Sequence, residues 1–183
     1  MKTIVLATLA IVLLFTSPSL TAQSPTPDNP LASCGDSNVS FNVSRGPVGT
    51  QSKPAPGKAL VYIVQVSDLH DRGKIGRPLI RLAMDGRWVG ATQGFTYLSA
   101  SVDPGTHHLC SRWQSSLARF SDQVSLNNFE AVAGKIYYFR LQIGYEAGTD
   151  GGQPAMIDLQ PVSDDEGLLL VSKAAQSMST PKN

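Results

Sequence analysis

Turn signals set at short, even intervals constrain this chain more than any other feature. Asp85-Gly86 stands between the apolar segments Leu79 to Met84 and Arg87 to Thr92. It is the commonest kind of two-residue hairpin turn, because glycine accepts the positive φ that a type I′ turn demands. Asp103-Pro104-Gly105 separates Phe95 to Val102 from Thr106 to Trp113. Ala133-Gly134-Lys135 separates Val124 to Val132 from Ile136 to Tyr145. A chain that reverses every ~8–12 residues reads as an all-β domain of short strands. Periodicity agrees. In Ile136 to Tyr145, the residues Tyr137, Phe139, Leu141 and Ile143 alternate with Tyr138, Arg140 and Gln142, the period of two that gives a strand two distinct faces. Ala59 to Val66 (ALVYIVQV) is apolar on both faces, as a strand covered on both sides would be. With Ala155 to Val162 as a last strand, the spacing predicts a mainly β protein. Its expected form is an antiparallel β-sandwich, or a partly closed barrel, of about 8–9 strands. Ser163-Asp164-Asp165-Glu166 is a capping-box pattern and predicts one short C-terminal helix through Leu168 to Val171, laid against the sheet.

Composition sets the outer bounds. A chain of 183 residues with 42% hydrophobic content supports one sizeable core, and 16 glycines with 12 prolines favour turns over helix bundles. A coiled coil, a multi-span membrane protein and a fully disordered chain are excluded. Fifteen basic against 14 acidic side chains leave a net charge of +1. That balance gives no electrostatic reason for a nucleic-acid partner, and no polybasic run points to an anionic membrane surface.

Residues 1–22 read as a signal peptide: Lys2 supplies the positive start, Ile4 to Phe15 the apolar run, and Thr16 to Ala22 a polar stretch. Residues 23–57 read as a Pro/Ser-rich N-terminal arm with one possible edge strand at Val39 to Val43. Residues 58–172 read as the β-sandwich domain, and 173–183 as a polar tail. No segment after the leader is long and apolar enough to span a bilayer. The expected localisation is therefore exported, periplasmic or extracellular. Cys34 and Cys110 are the two cysteines. In an oxidising compartment they are expected to form a disulfide, closing a loop that contributes about 4 kcal/mol on the chain-entropy model. Two other readings stand beside it. Leu31-Ala32-Ser33-Cys34 matches the box preceding a lipid-modified cysteine, although it lies far beyond the apolar run, and His108 with both cysteines is a conceivable metal set.

A resemblance enters through motif order. Gly57-Lys58-Ala59-Leu60-Val61-Tyr62-Ile63 is followed by Asp85-Gly86-Arg87-Trp88-Val89-Gly90. Then come Asp103-Pro104-Gly105-Thr106-His107-His108-Leu109-Cys110 and Ala133-Gly134-Lys135-Ile136-Tyr137-Tyr138-Phe139. From about Gly57 to Val171 this resembles an exported bacterial family filed as domain of unknown function number 2846, in an acidobacterial-type branch. The hairpin followed by Pro-Gly-Thr-His is also similar to the small PEGA sandwich repeats of bacterial surfaces. The resemblance implies a β-sandwich and export, and it implies no activity or functional residues.

Catalytic signatures are sparse. The sequence holds no G-x-S-x-G elbow, H-E-x-x-H or P-loop. Its S-x-x-K, Ser179 to Lys182, falls in the expected tail. His107 and His108 are adjacent in a strand and so point to opposite faces. His70 with Asp68 and Asp71 is a conceivable acid–base or metal cluster, and Glu146 with Asp150 a thin calcium set. Gly86, Gly90 and Gly94 punctuate strands and turns rather than a helix pair. Asn38-Val39-Ser40 and Asn42-Val43-Ser44 are glycosylation sequons that matter only in a eukaryotic secretory path. Trp88, Tyr97, Trp113, Tyr138 and Tyr145 offer a stacking platform for a glycan or peptide, and Trp88, just after a hairpin turn, is the expected ligand contact. These features predict a non-catalytic binding or structural module of the bacterial cell envelope, with an envelope protein or glycan as partner. They assign no catalytic residue, cofactor or metal site. The alternatives are a lipid-anchored assembly factor held through Cys34, and an enzyme with an unrecognised site.

Overall fold

The computed structural model describes residues 29–49, 51–66, 77–145 and 155–182. Within them, ten strands follow one another: β1 (Phe41–Val48), β2 (Ala59–Val66), β3 (Leu79–Met84), β4 (Arg87–Gln93), β5 (Thr96–Val102), β6 (Gly105–Trp113), β7 (Val124–Ala131), β8 (Ile136–Tyr145), β9 (Ala155–Pro161) and β10 (Ala175–Pro181). A 3-10 turn, Pro30–Ser33, precedes them, α1 (Ala118–Ser121) links β6 to β7, and α2 (Asp164–Lys173) links β9 to β10. The strands form a six-stranded sheet ordered β1-β10-β5-β2-β8-β9 and a four-stranded sheet ordered β4-β3-β6-β7. The fold is a β-sandwich.

The turn dipeptides act as their chemistry requires. Asp85 and Gly86 both hold positive φ, 51° and 77°, and close β3 onto β4 as a type I′ pair. Strand β2 is buried on both faces because the two faces belong to two different cores. Val61 and Ile63 face inward, with Leu98, Phe139 and Leu141, against Ile80, Leu82, Leu109 and Trp113 of the smaller sheet. Leu60, Tyr62 and Val64 face outward, where they meet Tyr97, Tyr138 and the Val171–Ala174 side of α2. The helix is capped as expected, Ser163 Oγ accepting from the Glu166 amide at 3.3 Å. The Glu166 carboxylate instead reaches Arg140 Nη1 at 2.8 Å, which ties the helix to β8.

Three expectations require correction. Residues 173–183 were expected as a polar tail, but they contain β10, which lies inside the larger sheet between β1 and β5. Its sequence, AQSMSTP, is poor in strand-forming residues, and its strand state comes from ladders on both sides, antiparallel to β1 and parallel to β5. The arm is also more than a tether. Its edge strand runs Phe41–Val48 rather than Val39 to Val43, and the segment before it is fixed across the smaller sheet, as described below. The pairing of β2 with β8 is parallel, a second departure from a wholly antiparallel sandwich.

Side chains stitch the two sheets along their flanks. Ser177 Oγ donates to Ala91 O at 2.5 Å, and Ser179 Oγ accepts from Ala91 N at 3.2 Å. On the opposite flank, Leu159 N donates to Ser125 Oγ at 3.1 Å and Asn127 Nδ2 to Leu159 O at 3.2 Å. The Gln114 amide mimics a strand neighbour for Phe41, accepting from its N–H at 2.7 Å and donating to its carbonyl at 2.9 Å. These bonds satisfy edge groups that would otherwise be unpaired.

Candidate functional site

Residues 29–40 form a strap over the outer face of the four-stranded sheet. Cys34 is bonded to Cys110 of β6, with a Cα–Cα distance of 5.2 Å. The disulfide engages both sulfurs, so neither is free for a metal, and Cys34 Sγ is not free for a lipid. Trp88, expected as an exposed ligand contact, lies half-buried beneath this strap. Its indole N–H donates to Asp36 O at 2.7 Å, and Gly35 lies so close to the ring that any Cβ there would sit 2.5 Å from it. The Arg81 guanidinium stands 4.7 Å from the ring centre, a cation–π pair. Arg81 itself is 5% exposed and donates from Nη1 to Ser37 O at 2.9 Å and Val39 O at 2.5 Å. Burial, and then the neighbouring Arg112 charge, push its pKa below the usual arginine value. The Arg81–Trp88 pair thus fastens the strap, and that is a structural role.

The remaining aromatics divide between the two cores. Trp113 is buried and stacks on Phe120 at 4.7 Å. Tyr97 and Tyr138 are buried around Tyr62 on the outer face, each with its ring centre 5.6 Å from that of Tyr62. Burial, followed by the proximity of Tyr62, raises both phenol pKa values, so both stay protonated at neutral pH. Tyr145 ends β8, and its side chain lies outside the described set.

An open cleft of about 660 Å³ lies where β7, the start of β8 and the first turns of α2 meet. Phe129, Tyr137, Tyr138 and Leu168 supply apolar surface, with Gln51, Lys135, Asp164 and Asp165 among the polar lining. Leu168 is 47% exposed there. Phe129 and Tyr137 hold each other at 5.0 Å, and Gln51 Nε2 donates to Tyr138 Oη. The Asp164 and Asp165 charges are also explained by their place in the first turn of α2. An apolar floor edged by charges of both signs suits a ligand with an apolar or ring face and polar margins.

His107 and His108 do point to opposite faces. His107 turns inward beside Phe129, ring centres 5.6 Å apart. Its Nδ1 lies 2.6 Å from Asp85 Oδ2 and its Nε2 2.7 Å from Asp103 O, while Asp85 Oδ1 accepts from His108 N at 2.8 Å. Lys58 Nζ completes the group at 2.5 Å from Asp103 Oδ1. Sequence reasoning missed this cluster. The signal was the placement of His107 just after Asp103-Pro104-Gly105, but only the β3–β6 register brings Asp85 to it.

Gly90 is inward and close to Leu98 and Ser179, in keeping with a strand rather than a helix pair. Asn38 and Asn42 of the sequons are exposed. Residues 1–22, expected as a signal peptide, and the candidate Asp68–His70–Asp71 group and Glu146–Asp150 pair all lie outside the described residues. Among the described residues, no group of three or more His, Cys, Asp or Glu side chains is arranged to hold a metal ion, and no helix is long and apolar enough to cross a membrane. Comparison with protein-family models, with curated proteins and with solved structures finds no match to this chain.

Proposed function

We propose that this protein is an exported, non-catalytic binding module of the bacterial cell envelope, with the cleft between α2 and β7–β8 as its contact surface. The observation that carries the reading is the cleft itself: about 660 Å³, open, and lined by Phe129, Tyr137 and Leu168 on a braced sandwich. The Cys34–Cys110 disulfide supports an oxidising destination. The leader-like residues 1–22 and the resemblance to exported domain-of-unknown-function family 2846 and PEGA repeats support the same destination.

The test has two arms. The first is the intact mass of protein recovered from an envelope fraction, before and after reduction. A chain beginning near Gln23 that gains two hydrogens on reduction is expected, and a chain beginning at Cys34 with an added diacylglyceryl group overturns the reading in favour of a lipid-anchored factor. The second is NMR titration with solubilised envelope glycans and peptides. Shifts confined to the amides of Tyr137, Tyr138 and Leu168, weakened by Leu168→Asp, are expected. Shifts elsewhere, or none, overturn the assignment to this cleft.

A further inference from the structure

We propose that His107 is the pin of a pH-sensitive clamp, which in its doubly protonated form holds the β3–β4 turn against β6 and slackens when the ring loses a proton. The argument is one of donors and acceptors. Both groups facing the ring are acceptors, the Asp85 carboxylate at 2.6 Å from Nδ1 and the Asp103 carbonyl at 2.7 Å from Nε2. A neutral imidazole carries one N–H and can satisfy only one of them, leaving two lone pairs facing each other at the other. Only the imidazolium satisfies both. Asp85 cannot easily swing aside, since its other oxygen accepts from His108 N at 2.8 Å and its backbone is fixed at φ 51°.

The surrounding charges favour the same state. From the β5–β6 turn comes Asp103, whose carboxylate is paired with Lys58 just before β2, and from the β3–β4 turn comes Asp85; the two carboxylates are the charges that favour the imidazolium. From β7 come the Phe129 ring and Glu130, whose carboxylate accepts from Thr106 Oγ1 at 2.7 Å. From β8 comes Tyr137, which packs on Phe129 and accepts from Val132 N. Burial by itself lowers the His107 pKa, but the bonds to Asp85 and Asp103 and the charges of the two carboxylates outweigh it, and the pKa is raised. A pKa raised on folding means that the clamp contributes in full below the ordinary histidine value. That contribution is lost as pH rises through the folded-state value. The clamp is closed in acid and opens on the alkaline side.

Its effect reaches the strap. Asp85 N donates to His108 O at 2.9 Å, and Gly86 N donates to Ser33 O at 3.1 Å, one residue before Cys34. Slackening this turn loosens the seat of the segment that carries the disulfide.

The test follows the His107 ring by NMR and the exchange of the Gly86 amide, corrected for intrinsic base catalysis, from about pH 5 to about pH 9. In the wild-type protein the ring is expected to titrate above its ordinary value of about 6.5, and Gly86 exchange to quicken about fivefold across that midpoint. In Asp85→Asn the amide oxygen can still accept from His108 N while Nδ2–H donates to Nδ1 of a neutral ring, and Asn-Gly suits the turn. That variant is expected to exchange without pH dependence. A wild-type ring titrating at or below about 6.5, or an Asp85→Asn profile as steep as wild type, overturns the proposal. Should Asp85→Asn fail to fold, His107→Gln replaces it: a flat profile is expected, and a retained one overturns the clamp.

Discussion

Replacing Gly167 by alanine asks whether α2 is held on the sheet by direct contact with Tyr138. In an exposed helix interior the change stabilises by about 1 kcal/mol, because glycine is the poorer helix former. Here an added Cβ would lie 2.1 Å from Tyr138 Cγ, 2.4 Å from its Cβ and 2.6 Å from its Cδ1. Carbon atoms in contact need about 3.5–4.0 Å. Rotating the ring cannot relieve the clash with Cβ, and the ring is already stacked on Tyr62 at an interplanar angle of 15°. The helix therefore has to lift by more than about one ångström, drawing the fully buried Val171 and Ala174 off the sheet. Overpacking costs about 1–3 kcal/mol, and contacts this short, against a Cβ that cannot rotate away, place the cost at about 3 kcal/mol, which less the gain in propensity leaves a net loss of about 2 kcal/mol. Equilibrium urea unfolding reads it as a lower midpoint at unchanged slope. A higher midpoint would refute the reasoning, since it would mean that α2 behaves as a free surface helix.

Cys34→Ala with Cys110→Ala removes a bridge spanning 76 residues and is expected to cost about 4 kcal/mol, seen by calorimetry as a Tm lower by about 8–16 °C. A fall of only one or two degrees would assign the strap's stability to Arg81 and Trp88 instead. Gln114→Ala deletes two hydrogen bonds to the Phe41 backbone and is expected to cost about 1–2 kcal/mol. Amide exchange at Phe41 should quicken accordingly, and unchanged protection would show the Gln114 bridge to be dispensable. Ser177→Ala strips the buried Ala91 carbonyl of its hydroxyl partner, with an expected loss of about 1 kcal/mol in denaturant unfolding. A neutral result would mean that the β4–β10 flank is held by packing alone.

Strands bounded by chemical punctuation were legible in the sequence. Ala59–Val66, Leu79–Met84 and Ile136–Tyr145 begin and end where their alternation and turn residues place them, because turn geometry is local. The N-cap at Ser163 was legible for the same reason. Features set by partners distant in sequence were not. Strand β10 reads as a polar tail, since Ser177 and Ser179 acquire a reason only when Ala91 of β4 lies opposite them. Trp88 reads as an exposed aromatic because Gly35, which covers it, is 53 residues away, and its tie to Asp36 spans 52. The Cys34–Cys110 disulfide was legible as the simplest pairing of the two cysteines on the expectation of export, beside the lipid and metal readings that the bond excludes. The cleft was half legible: Tyr138 was singled out, but the packing of α2 that makes one of its walls was expected only in outline.

The place of β10 has a consequence for the order of assembly. A chain emerges from the ribosome, or through an export channel, with its N-terminal strands first. Among the described residues, strand β1 lies at the edge of its sheet, and its one hydrogen-bonded neighbour there is β10. Strand β5 likewise has one side paired to β2 and the other reserved for residues Ala175 and Gln176 of β10. Until those late residues arrive, two strand edges stay open, β1 has no ladder, and the strap can be fixed only through Cys110 and the smaller sheet. A nascent chain halted before Ala175 therefore exposes unpaired edges of the kind that recruit other chains. Completion of the larger sheet is thus coupled to delivery of the C-terminal segment.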